Sequence, residues 1–401
     1  MEKSDERHIW CLDRSIIFVF FLPIFAILFR PPVKKMKNSF RFACAVQSLA
    51  IGLAAAPFMA IGDGAELFLT GTLGVRSDDN VYLAKKAESD LIFDIVPGVG
   101  VNFGKNAQLK GNLSLAETFS NYSDNSKLNT QLFSGSFNSG YDDGKLKLDF
   151  NIGYSELNQN NADFRDLTRR DLFDVGGKTE VEISQLSKVG AAIAFNHTNY
   201  RRKGYADSDS FEVPLNYYYR WTEKTDLSVG YRYRDYKVDI GSDSTDHFFS
   251  IGARGEFSPK LTGRFAIGLN SRKLDRGADE SLLGVESSFA YEITPKTRFN
   301  FSITNDFGTS PQGQQQKNFT LGGGLSTDIS QEWTLTGGMN YRAIDYGNRT
   351  DDYFELNLGA AYVISANVRI QGGYAFRSYS SDISSIEFKN NVFSVAANFS
   401  Y

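Results

Sequence analysis

Few side chains in this chain could do acid, base or nucleophilic work. Of three histidines, His197 and His247 lie in the body of the sequence, and Ser244 and Asp246 stand beside the second. A Ser/His or Asp/His pair is a common core of hydrolytic chemistry. Neighbouring residues of an extended strand point to opposite faces, however, so Asp246-His247 makes no dyad by itself. No metal-ligand spacing, phosphate loop or nucleophile elbow occurs. The expectation is therefore a protein that is not an enzyme, with no catalytic, cofactor-binding or metal-binding residues. Charge is the richer signal: Arg232, Arg234, Arg254, Arg264, Arg272, Arg298, Arg342, Arg369 and Arg377 recur through the second half, with fewer carboxylates in the same phase, namely Glu256, Glu286, Glu292, Asp328 and Glu355.

What holds those arginines is a repeated pattern of period two. Leu227, Val229, Tyr231 and Tyr233 alternate with Ser228, Gly230, Arg232 and Arg234, and Phe299, Phe301 and Ile303 with Arg298, Asn300 and Ser302. Strict alternation of this kind is the signature of a strand with one greasy and one wet face. Tight turns fall at Gly104-Lys105, Asp142-Asp143-Gly144, Leu186-Ser187, Glu223-Lys224, Pro259-Lys260, Pro295-Lys296, Gln331-Glu332 and Ser365-Ala366. Longer polar loops lie between them, at about 76–90, 119–127, 157–170, 199–208, 239–245, 274–280, 308–316, 347–352 and 379–387. Eight turns and nine loops join eighteen strands of one phase. Pro97 and Pro214 fall inside strand patterns, where each removes a ladder donor, and predict bulges or register faults.

Composition narrows the class. A mean hydropathy of −0.31 excludes a bundle of membrane helices, each of which needs about 20 consecutive apolar residues. A net charge of −4 over 401 residues gives no basic footprint for nucleic acid. An all-β, closed antiparallel barrel with short turns at one end and long loops at the other is the outer-membrane pattern. Hydrocarbon leaves no partner for an unpaired N–H or C=O, so a sheet survives there when it closes on itself. Trp221, Trp333, Phe257, Tyr291 and Tyr362 sit near the tight turns and fit an aromatic girdle at the lipid headgroups. Residues 36–64 have a basic start, an apolar centre and small residues, the anatomy of a signal peptide, and 1–35 read as an over-extended start. Cys11 and Cys44 fall in this removable part, leaving 65–401 as a barrel without thiols.

The first hairpin carries Gly74-Val75, Asp78-Asp79-Asn80-Val81-Tyr82, Ser89-Asp90-Leu91-Ile92 and Pro97-Gly98-Val99. This run resembles the opening signature of the family named Putative beta-barrel porin 2, some of whose members accompany exopolysaccharide export systems. The resemblance implies a porin or a polysaccharide-conducting barrel in the outer membrane, in contact with its lipid and with polysaccharide export components. Read on residue type alone, Asp78 to Tyr82 also fits a polar surface loop. The last strand presents Phe393, Val395, Ala397, Phe399 and Tyr401 on one face, and Phe399 and Tyr401 resemble the C-terminal signal read by the barrel assembly machinery.

Eighteen strands about 4.8 Å apart, tilted near 40°, imply a backbone diameter of roughly 35 Å and a bore on the order of 15 to 20 Å once side chains are counted. Loops of the lengths above can narrow the mouth but supply no plug domain. The nine inward arginines predict a positive wall that favours anionic solutes, unless each is paired across the strands with a carboxylate. A structural or adhesive barrel without transport is the competing expectation.

Overall fold

The chain divides into Met1–Ala60 and Ile61–Tyr401. The computed structural model describes residues 64–159 and 168–401. The expected leader and both cysteines therefore lie outside the described residues. From Glu66 onward every long element is a strand. In chain order these are β1 (Glu66–Asp78), β2 (Asp90–Phe103), β3 (Leu109–Tyr122), β4 (Thr130–Asp142), β5 (Leu146–Gln159), β6 (Thr168–Ser184), β7 (Ser187–Tyr200), β8 (Ser208–Arg220) and β9 (Thr225–Val238). They continue as β10 (Ser244–Ser258), β11 (Leu261–Leu274), β12 (Glu280–Thr294), β13 (Thr297–Thr309), β14 (Gln315–Asp328), β15 (Trp333–Asp345), β16 (Thr350–Ser365), β17 (Val368–Ser381) and β18 (Phe388–Ser400).

Each strand pairs antiparallel with its neighbours in sequence, and β1 pairs with β18 from Thr70↔Ser400 to Asp78↔Val392, so the eighteen-stranded sheet has no free edge. Tyr401 extends that seam, its backbone exchanging two hydrogen bonds with Leu69 at 2.7 and 2.9 Å. The greasy phase faces out: Leu67, Leu69, Val229, Ile251, Leu283, Phe393 and Val395 are all exposed. Exposed apolar residues in such a continuous band are what hydrocarbon requires of a barrel's outer surface. The wet phase faces the lumen.

Two expectations need correction. The strands run 13 to 17 residues, so several positions assigned to loops, such as Ser120–Tyr122 and Arg76–Asp78, continue the ladder. Pro97 and Pro214 also cause no register fault. Pairing of β2 with β3 lapses between Ile95↔Phe119 and Gly98↔Ala116, and of β7 with β8 between Ala191↔Leu215 and Ala194↔Glu212, but resumes in the same register. A missing donor opens the ladder locally without adding a residue. The shifts fall instead beside the tightest turns, at Glu182/Ser184, Glu256/Ser258, Glu292/Thr294 and Val363/Ser365, where a bulge helps the chain reverse.

Candidate functional site

The loops at the long end fold inward from two sides. The loop joining β1 to β2 (L1, 79–89) turns into the mouth, and Leu83 packs against Ile344, Tyr353, Tyr379 and Phe388 on the inner faces of β15 to β18. Val81 packs against Ile92 and Tyr122. Asn80 holds the turn: its Nδ2 donates to the carbonyls of Ala84 (2.8 Å) and Lys389 (2.9 Å), and its Oδ1 accepts from the Ala84 N–H (3.1 Å). Asp78 accepts from the Asn80 N–H at 2.8 Å and from Asn390 Nδ2 at 2.6 Å. The segment Asp78 to Leu83 is thus a buried intraluminal turn and not the polar surface loop its residue types also allowed. Its sequence signal was the pair Val81 and Leu83, apolar residues in an otherwise polar stretch.

The second inward loop joins β13 to β14 (L7, 310–314) and straps across the mouth. It passes L6 (275–279) and reaches L4 (201–207) and L5 (239–243). The Ala206 N–H donates to the Pro311 carbonyl at 2.7 Å, and Gln315 Nε2 to the Ser242 carbonyl at 3.0 Å. L5 and L7 touch backbone to backbone at Gly241 (φ 114°) and Gly313 (φ 78°). A Cβ on Gly313 would lie 1.9 Å from the Ile240 carbonyl oxygen, so both the dihedral and the space demand glycine there.

Below L7 lies a charge network. Arg234 Nε donates to Asp246 (2.8 Å) and its Nη1 to Asp306 (3.0 Å), while Arg272 Nε donates to Asp246 at 2.6 Å. Arg232 pairs with Glu286 and, at 3.0 Å, with Asp306. Arg272 also donates to the Gly308 carbonyl at 2.8 Å and to Gln315 Oε1 at 2.7 Å, which ties the network to the base of L7. Asp306 is four strands from the arginines of β9, about 19 Å along the wall at the usual strand spacing. Long guanidinium side chains bridge that gap across the curved inner surface. Nearer the short-turn end, Arg254 pairs with Glu180 (2.7 Å) and Asp226 (3.0 Å) and covers the Tyr218 ring at 3.4 Å from its centroid.

Every expected lumen-facing arginine is on the inner phase, but the excess of nine arginines over five carboxylates in β9 to β17 does not hold. Asp226, Asp246, Asp306 and Asp351 share that face, bringing the carboxylates there to at least nine. Six of the arginines are ion-paired: the four above, Arg298 with Glu292 at 3.0 Å and Arg377 with Glu355 at 3.6 Å. Arg342 donates to Asn318 Oδ1 at 3.1 Å. Among the described residues, Arg264 and Arg369 are exposed and have no carboxylate within ion-pair distance. The extra aspartates were legible in the same alternation that placed the arginines.

Both described histidines lie on the outer phase of the wall. His247 faces out and shares a 2.8 Å hydrogen bond with the Tyr231 hydroxyl, while Asp246 faces in. His197 bonds Asp209 at 2.7 Å on the outer face. Of the residues expected in a girdle, Trp333 and Tyr362 are cross-strand partners with ring centroids 4.9 Å apart, Trp221 and Tyr291 are exposed, and Phe257 packs on Phe289 at 5.6 Å. Phe399 lies against Gly71 on the closing seam, beside the exposed Tyr401.

A sealed eighteen-stranded sheet, greasy outside and polar inside, with charged residues and two inward loops at its mouth, defines an outer-membrane β-barrel with a porin-like channel fold. Residues 225–401 match the family described as Putative beta-barrel porin 2, so that the family resemblance of the first hairpin is joined by a match over β9 to β18. No curated protein matches the chain. Among solved structures it is similar to OccAB2 of Acinetobacter baumannii (12% identity, 86% of this chain and 99% of that one, TM-score 0.47). It is also similar to OpdK of Pseudomonas aeruginosa, crystallised with vanillate (9% identity, 84% and 99%, TM-score 0.45).

Proposed function

We propose that the chain is a passive channel for small polar solutes, which sorts them by size at its mouth and only weakly by charge. The observation that carries this reading is the pairing of the lumen arginines. At least six of the nine have a carboxylate partner, so the wall presents alternating charge in place of a positive field. Selectivity for anions needs uncompensated cations in a low-dielectric enclosure, and Arg264 and Arg369 supply two. L1 and L7 supply the size limit, since both occupy space that an eighteen-stranded wall would leave open.

Export of an extended polysaccharide is a second reading, implied by the family resemblance. What favours it is a smooth wall: Gly322, Gly324, Gly338, Gly359 and Gly373 share the inner phase across β14 to β17 and give a sliding chain little to catch on. Planar-bilayer recording separates the readings. The solute channel predicts a steady open current with a reversal potential near zero in a salt gradient. A silent barrel that conducts once L1 is released would favour the exporter, and a barrel silent in both forms would favour the adhesive or structural reading.

A further inference from the structure

We infer that the cavity beneath L7 is a binding site for one uncharged hydroxylated ring, of the size of a monosaccharide. The inference rests on the channel reading above and adds a ligand class to its mouth. The cavity has a volume of about 310 Å³ and is lined by residues of β7 to β9, β11, β13, L7, β14 and β15. That is room for about ten waters at ~30 Å³ each, at the small end of ligand sites.

Three features of the lining select the ligand. Gln316 is 4% exposed, and its Oε1 has no hydrogen-bond partner. A buried acceptor left unmade is costly, so the site favours a ligand carrying a donor. Tyr200, Tyr236 and Phe307 add flat apolar faces, of the kind that pack against the C–H face of a sugar ring. Charge then decides among donors. The guanidinium groups of Arg234, Arg272 and Arg342 are donors only and give an ammonium group no acceptor. Arg234 and Arg272 are already held by Asp246 and Asp306, and Arg342 donates to Asn318 through two nitrogens, so the three offer an anion little beyond what they have. A hydroxyl satisfies Gln316 with neither penalty.

The test uses the whole barrel in planar bilayers, with glucose as probe and glucuronate and choline as charged comparisons. Glucose should interrupt the open current in the millimolar range, more strongly than either ion. Gln316→Leu should weaken that block by about fivefold, the usual worth of one hydrogen bond, and Gln316→Glu, which keeps the acceptor, should retain it. Saturation-transfer NMR on the detergent-solubilised barrel reads binding without current. A conducting barrel that shows neither glucose block nor glucose contact overturns the site alone. So does a block equal in wild type and Gln316→Leu, or one in which glucuronate wins. A silent barrel that still binds glucose through Gln316 overturns the channel reading and leaves the site standing.

Discussion

Leu83 is where the inward fold of L1 can be broken in a diagnostic way. It is 2% exposed, and among the described residues it is the one non-glycine with a positive φ, 47°. A β-carbon in that conformation costs roughly 1 to 2 kcal/mol, which the apolar pocket of Ile344, Tyr353, Tyr379 and Phe388 offsets. Leu83→Ala removes most of the packing, worth about 2 to 5 kcal/mol for a buried large-to-small change, and keeps the left-handed penalty. Leu83→Gly removes the same packing but relieves that penalty. The usual ranking therefore inverts: L1 should stay closed about fivefold or more longer in the glycine variant than in the alanine one, from a difference of at least ~1 kcal/mol. Lys85 and Lys86 are exposed next to this turn, so trypsin cleavage there reads the open population when opening is fast relative to cleavage. Wild type should resist, alanine should be cut fastest and glycine should fall between. Cleavage of glycine at or above the alanine rate would show that the backbone of Leu83 is not what constrains the loop.

The other predictions concern charge, closure and assembly. Asp306→Asn removes one negative charge shared by Arg232 and Arg234, and should shift the reversal potential toward anions; an unchanged potential would place the network outside the ion path. Replacing Arg264 and Arg369 together by Gln should shift it toward cations, and by more than Arg254→Gln does, because Arg254 is matched by Glu180 and Asp226. Gly313→Ala sets a Cβ against the Ile240 carbonyl and should part L7 from L5, raising single-channel conductance; equal conductance would mean that L7 does not limit the bore. Removing Phe399–Tyr401 deletes the outward aromatics and the Leu69 pairing at the seam, so less barrel should reach the outer membrane. Normal levels would deny these residues a role in recognition by the assembly machinery.

The strand count and the direction of each arginine could be read from the sequence because both follow from a period of two, which is local. Turns such as Pro259-Lys260 and Pro295-Lys296 fix the phase, and the phase fixes the face. Contacts across the lumen carry no such signal. Asp306 and Arg234 are 72 positions apart, joined by the curvature of the wall and the reach of a guanidinium. The inward turn of L1 sits between these cases. Its apolar Val81 and Leu83 were visible in the chain, but their partners Ile92, Tyr122, Ile344, Tyr353, Tyr379 and Phe388 come from β2, β3 and β15 to β18. They converge on L1 because β1 pairs with β18: closure of the sheet brings the first loop against the last strands. The same closure that hydrocarbon demands of the backbone therefore also builds the pocket for Leu83. A variant that weakens the β1–β18 seam should release L1 before it unfolds the barrel, so protease sensitivity at Lys85 and Lys86 should appear at lower denaturant than loss of β-sheet circular dichroism. Coincident transitions would mean that the loop and the seam form one cooperative unit.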